Sequence, residues 1–259
     1  MIEIKEVATR AQRKAFVEFP LQLYKGNKCF VPPLYADEMK LFNKNYHYYD
    51  DAEAVYYLAY RGKNVVGRIS GILQKKSNEK WNQKRVRFTR FDCIDDKEVA
   101  SALFAAVESW AREKGMEEVV GPLGFSDLER EGLLIEGFDE LSTFEEQYNY
   151  PYYQGLIEGL GYEKEVDWLE HKLYLPEKRD PRIKEVREKL LVRHDLHLST
   201  EKSSKEFIRL YKDAFFELLD TTYAEIYGTV PFTDKMKREL IRSFRQIIDV
   251  RYVAMVLDK

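Results

Sequence analysis

Residues 95–115 read DDKEVASALFAAVESWAREKG, and this stretch decides the fold. Val99, Leu103, Ala106 and Trp110 recur at helical spacing and make one apolar face. Asp95 and Glu98 stand at capping-box spacing ahead of that face. Gly115, directly after Lys114, occupies the place where a helix closes in the left-handed conformation. On the N-terminal side, KRVRFTRFDCI (84–94) reads as a strand with Val86, Phe88 and Ile94 as expected buried positions. On the other side, MEEVVGPLGF (116–125) supplies a short strand.

Further out, AEAVYYLAY (52–60) and NVVGRISGILQ (64–74) are apolar runs joined by Arg61-Gly62-Lys63, a hairpin signal. IEIKEV (2–7) alternates apolar and charged residues as a first strand. QRKAFVEFPLQLY (12–24) reads as a helix that Pro20 is expected to end or kink. After a long Gly- and Glu-punctuated connection, Tyr152 to Gly159 suggests a short helix, and VDWLEHKLYLP (166–176) a last alternating strand. Residues 1–176 thus spell strand, helix, hairpin, strand, helix, strand, helix, strand: an α/β pattern with mixed strand directions.

After Pro176 the text turns helical and charged. DPRIKEVREKLLVR (180–193) is a mixed-sign helix, and its alternating charges argue for a solvated linker. LHLST (196–200) then reads as a strand, SSKEFIRLYKDAFFELLD (203–220) as a helix, and TDKMKRELIRSFRQIID (233–249) as a second helix capped by Thr233. VRYVAMVLDK (250–259) forms an apolar strand. The front of the chain is repeated here in outline, at the level of elements rather than residues.

Composition excludes several classes. The chain has 259 residues, 44% hydrophobic and 34% charged, with 42 basic against 45 acidic side chains and a formal net charge of −3. That balance gives no drive toward nucleic acid. Its apolar runs fall far short of the ~20 residues a membrane helix needs, so no membrane is expected as a partner. MIEIKEVATR carries no apolar stretch behind a basic head, and Cys29 and Cys93 are the two cysteines; both features point to a reducing cytoplasm.

The order of elements resembles the GCN5-related N-acetyltransferase (GNAT) superfamily. The resemblance rests on AVYYLAYRGKNVVGRISGI (54–72) as a first hairpin, VASALFAAVESWAREKG (99–115) as the central helix, and YYQGLIEGLGYEKEVDW (152–168) as the closing helix, Gly-aromatic and strand. GPLGFSDLEREGLLIEGFDE (121–140) with YNYPYY (148–153) is similar, more narrowly, to an uncharacterised bacterial family with two tandem GNAT-like halves. The resemblance implies a mixed, mostly antiparallel central sheet flanked by helices, followed by the start of a second similar unit. It implies a GNAT-like domain over 1–176, a linker helix over 177–193, and an incomplete second domain over 194–259. It further implies acyl transfer from acyl-coenzyme A to the amine of a small molecule or peptide. Acetyl-CoA or another acyl-CoA is then a co-substrate, not a tightly bound cofactor. The second reading is a non-catalytic GNAT-like binding or scaffold protein.

Coenzyme A pyrophosphate normally sits on a Gly-rich loop opening the central helix, where backbone N–H groups and the helix terminus favour an anion. The six aligned residues here are Asp95, Asp96, Lys97, Glu98, Val99 and Ala100, and Ala100 alone fits the pattern. Two aspartates where phosphates would dock oppose binding, so this loop is expected to be degenerate, with its acids serving as caps. The resemblance therefore shifts the coenzyme to sequence beyond Lys259, and little activity is expected of these 259 residues alone. The family's tyrosine acid falls on Ile157; Tyr152 and Tyr153, one turn earlier, are substitutes, with aromatic packing as the alternative role. Glu129 and Glu131 lie in a connection long enough to line a cleft, and would receive an amine or act as general base provided that one is desolvated. Cys93 reads as an inert buried thiol, and His194 with His197 has no metal-ligand pattern, so no metal is expected. QKKSNEKWNQKRVR (74–87) carries six basic residues and reads as a solvated hairpin loop. The edge at VRYVAMVLDK needs covering, and a homodimer or packing on the first domain is expected to do so.

Overall fold

The computed structural model describes residues 1–178 and 180–258. They divide into two units, Met1–Trp168 with Ile226–Pro231, and Leu169–Glu225 with Phe232–Lys259. The first unit begins with β1 (Glu3–Glu6), α1 (Arg10–Leu23) and α2 (Tyr35–Lys40), then the hairpin β2 (Ala52–Arg61) and β3 (Asn64–Gln74). It continues through α3 (Lys75–Trp81), β4 (Arg85–Cys93), α4 (Lys97–Glu113), β5 (Glu118–Val120) and α5 (Tyr152–Glu158). The sheet order is β1-β2-β3-β4-β5. The first three pairings are antiparallel, and β5 runs parallel to β4 because α4 carries the chain back across the sheet. The unit is thus a mixed, mostly antiparallel sheet flanked by helices.

One face of the sheet is covered by α4. Val99, Leu103, Phe104 and Val107 are buried there with Ile69, Phe88 and Phe91 from β3 and β4. The helix lies so close that glycine is required beneath it. A Cβ on Gly67 would stand 2.8 Å from Leu103 Cδ1 and 2.9 Å from Cys93 Cβ, and one on Gly71 would meet the Trp110 ring at 3.2 Å.

The opposite face takes α1. Thr9 and Gln12 form a capping box at its start. The expectation that Pro20 ends or kinks this helix needs correction: α1 runs on to Leu23 with Pro20 inside it. Pro20 cannot donate to the carbonyl four residues back, that of Phe16, and this oxygen instead accepts from Arg68 Nη1 at 2.8 Å. The bond that proline removes is replaced by a buried guanidinium.

In β4, Ser70 pairs with Thr89 and Arg68 with Asp92, so three steps on β4 oppose two on β3. The extra residue is Arg90, whose φ of +50° lies in the left-handed region that non-glycine residues seldom adopt. The bulge lets Phe88 and Phe91 both face α4, while Thr89 and Asp92 both face α1.

Other expectations change as well. The helix cap is Asp96, not Asp95: Asp96 Oδ1 accepts from Glu98 N at 2.8 Å and from Val99 N at 3.3 Å. The basic stretch after Gln74 is a helix, α3, rather than a loop, and Asn82 closes it at φ +50°. Ile94 is half-buried rather than buried. Residues 166–176 form no strand. Their alternation fixes which side chains share a face, but a strand also needs a partner to take its backbone groups, and none pairs with them.

The second unit contains α6 (Pro181–Arg193), β6 (Leu196–Leu198), α7 (Ser204–Thr222), α8 (Asp234–Ile247) and β7 (Val256–Asp258). Thr233 caps α8 through Met236 N. β6 and β7 pair antiparallel, so strand, helix, helix, strand recurs in the order of β1, α1, α2 and β2. The last strand is only three residues long, where the sequence suggested most of 250–259. No helix among the described residues is long and apolar enough to cross a membrane.

Gly67→Ala should destabilise the protein by about 1–3 kcal/mol, the usual cost of overpacking a dense core. Urea denaturation at fixed pH checks it, and an unchanged midpoint would show that the gap between β3 and α4 is slack.

Candidate active site on the open face of the sheet

Where α1 and α2 leave the sheet, β3 and β4 present Arg68, Arg87, Thr89 and Asp92, all buried. Arg68 Nε donates to Asp92 Oδ2 at 2.8 Å, and its Nη1 lies 3.9 Å from Glu38 Oε2 of α2. Asp92 Oδ1 also accepts from the hydroxyls of Tyr24, at 2.8 Å, and Tyr153, at 3.3 Å. Because the bulge turns Arg90 the same way, its Nε and Nη2 both reach Glu38 at 3.1 Å, and Nη2 lies 3.6 Å from Glu129. Arg87 Nη2 donates to Ser77 Oγ and to Gly228 O, each at 2.8 Å. Glu38 is 7% exposed, and burial alone would raise its pKa. The guanidiniums of Arg90 and Arg68 outweigh that effect and hold its carboxyl below the usual range. Its depressed pKa contributes stability above the ordinary value of 4.5, and this is lost as pH falls through the folded value.

A cavity of about 140 Å³ opens over this floor. Arg68, Arg90 and Asp92 lie among its polar walls, and Leu34, Leu128 and Phe144 among its apolar ones. Glu129 and Arg130 enter it from the connection after β5. Glu129 is tied down: Oε2 accepts from Phe125 N at 2.8 Å and Oε1 from the Tyr46 hydroxyl at 3.3 Å. Glu131, next along, differs. Its Oε1 is buried with no hydrogen-bond partner. Burial pushes its pKa up to about 7, against the attraction of Arg87 and with help from Asp127 and Glu129. Of the two carboxylates singled out in the sequence, Glu131 is the one with a buried oxygen left unpaired.

Tyr152 and Tyr153 do come to this region, on α5, but their hydroxyls are engaged. Tyr152 donates to Cys93 O at 2.7 Å, and Tyr153 accepts from Cys93 N at 3.1 Å. Burial, then Asp92, pushes Tyr153 well above the ordinary phenol range. Burial likewise raises the Cys93 thiol, with Asp92 and Asp96 adding to it. On the far edge, Asp95, Asp96, Lys97, Glu98, Val99 and Ala100 open α4. Two of the amides there are taken by the Asp96 carboxylate, and Arg61 pairs with Asp96. Among the described residues, no group of three or more His, Cys, Asp or Glu side chains could hold a metal ion. The sequence reading missed Glu38, Arg68, Arg90, Asp92 and Arg130. One signal was there: Arg68 interrupts an otherwise uncharged run, VVGRISGIL, and a charge in a buried strand needs a partner.

No protein-family model matches the chain. It is 27% identical over 222 residues to Protein YghO of Escherichia coli (strain K12), covering 85% of the chain and 56% of that protein. It is 28% identical over 258 residues to a bacterial ceramide synthase of Caulobacter vibrioides (strain NA1000 / CB15N), covering 97% of the chain and 65% of that protein. The chain therefore spans less than two thirds of the length of either relative. The structure of a "predicted acetyltransferase with acetyl-CoA" from Clostridium acetobutylicum is similar at a TM-score of 0.41 and 10% identity, over 66% of this chain and 96% of that one. In the first unit the buried charges lie on the sheet face away from α4.

Asp92→Ala should destabilise the unit by about 3–5 kcal/mol, since it takes from the buried Arg68 the carboxylate that its Nε bonds at 2.8 Å and leaves only the more distant Glu38. Chemical denaturation measures it, and a loss below that of an exposed pair would sink the claim. Glu131→Gln should act in the opposite sense and depend on pH. The raised pKa means that ionising Glu131 costs folded-state stability as pH rises from 4.5 to about 7. The variant should therefore gain on the wild type between pH 5 and pH 8, read from denaturation midpoints; an equal difference at both values contradicts the assignment.

Proposed function

We propose that this chain is part of a GNAT-like N-acyltransferase that moves an acyl group from acyl-coenzyme A to an amine. The observation that carries the reading is the match along nearly the whole chain to a relative named for making ceramide, which is an amide. Glu131 supplies the chemistry such a transfer requires from the protein. The attacking amine must lose a proton, and a base poised near neutral pH suits that task. The amine nitrogen bonds to the thioester carbonyl, its proton passes to the Glu131 carboxylate, and the C–S bond breaks to release coenzyme A as a thiolate that is then protonated. Tyr152 and Tyr153 stay out of this scheme, because their hydroxyls hold β4 and α5 together.

The start of α4 is assigned no coenzyme role. Asp96 occupies amides that would face a pyrophosphate, and Glu98 adds negative charge beside them. That closed helix start is also the observation favouring the second reading, a binding or scaffold protein without catalysis. Amine-dependent release of thiol from acyl-CoA separates the two. Release is expected, with an acidic limb near pH 7 that disappears in Glu131→Gln along with about 100-fold of the rate. A folded protein that releases no thiol with any acyl-CoA and alkylamine supports the scaffold instead.

A further inference from the structure

Arg130 is the cation that the charge network leaves over. Arg68 is held by Asp92 and Phe16 O, and Arg90 by Glu38 and Glu129. Arg130 lines the same cavity, is half-buried, and makes no hydrogen bond or ion pair with any described residue. Loss of hydration holds its guanidinium below the usual arginine range, and Arg90 and Arg68 oppose its charge while Glu38 and Asp92 favour it. A guanidinium offers five donors in a planar fork, and a desolvated one is costly until an acceptor fills that fork. The carboxylates on the cavity floor do not fill it, since Glu38, Asp92 and Glu129 are each committed elsewhere. Of the two rim acids, Asp37 pairs with Lys40, and Glu145 is exposed and screened by solvent. Three large apolar side chains stand at the cavity with much of their surface in water: Leu34 at 55%, Leu128 at 49% and Phe144 at 46% exposure. Such a patch beside a concave polar site marks a place for an apolar group.

We propose that this cavity binds an amphiphile with an oxyanion head, its carboxylate or phosphate forked on Arg130 and its alkyl chain laid against Leu34, Leu128 and Phe144. The site goes beyond the acyl-transfer reading and stands or falls separately from it, because its test is equilibrium binding without turnover. The probes are octanoate, octyl phosphate, octanol and octylamine below their micelle concentrations, titrated calorimetrically into the protein. Octanoate or octyl phosphate should bind and raise the thermal midpoint, the tighter of the two giving the head group, while octanol and octylamine bind at least tenfold more weakly. Arg130→Gln should weaken the anion at least tenfold, and Arg130→Lys, which keeps the charge but loses the fork, should restore part of it. Since Arg130 holds no partner, the Gln variant should keep the ligand-free thermal midpoint, which separates lost binding from lost folding. Acetate and inorganic phosphate should bind more weakly than their octyl counterparts. The proposal is overturned if octylamine binds as tightly as the anions, if Arg130→Gln leaves their affinity unchanged, or if the alkyl chain makes no difference.

Discussion

The Arg68 guanidinium is the point on which the first unit depends. It sits in β3 at 3% exposure and reaches three other elements: Asp92 on β4, the Phe16 carbonyl on α1, and Glu38 on α2. A buried ion pair is no strong source of net stability, because desolvating two charges costs nearly what their attraction returns. What it supplies is a definite arrangement. A packing in which α1 slid or β4 slipped by one residue would strand the charge, and that costs several kcal/mol. Pro20 belongs to the same device, since it takes the Phe16 carbonyl out of the helix ladder and leaves it for Arg68.

The bulge at Arg90 extends that arrangement from structure to site. Regular alternation along β4 would send Phe88 and Phe91 to opposite faces. One inserted residue keeps both phenylalanines under α4 and turns Arg90 toward Glu38 and Glu129. The left-handed φ of Arg90 is a local cost of order 1 kcal/mol, offset by the ion pairs it makes possible. The connection after β5 is then held by Arg90 through Glu129 and by Arg87 through Gly124 O. Glu131 Oε1 is thus buried without a partner and its pKa rises to about 7, while Arg130 lines the cavity with no hydrogen bond or ion pair to a described residue.

How far the sequence could be read follows from the range of each interaction. Helix α4, the hairpin of β2 and β3, and the short helix α5 were legible because their signals are local: apolar period, Gly-containing turn, cap and stop. The shift of the cap from Asp95 to Asp96 is a matter of one residue, which spacing alone does not resolve. The stretch 74–87 was misread as a loop because its charges hid a single helical turn pair closed by Asn82. Glu129 and Glu131 could be named as candidates, but which one is left with an unpaired buried oxygen depends on Phe125 N and Tyr46, neither of which is adjacent to them in sequence.

By itself, then, the sequence determined the order and type of most elements of the first unit, the mixed character of its sheet, and the acidic start of α4. These follow from periodicity and from charge, which act over a few residues. Only the tertiary structure decided that Arg68, Asp92 and Glu38 meet, that Glu129 is tied down while Glu131 is not, and that Arg130 is left facing a cavity. Those outcomes rest on burial and on pairs far apart in the sequence, such as Tyr46 and Glu129, 83 residues apart. A charge has the same identity in the sequence wherever it lies; its pKa and its need for a partner are set by the water it loses on folding.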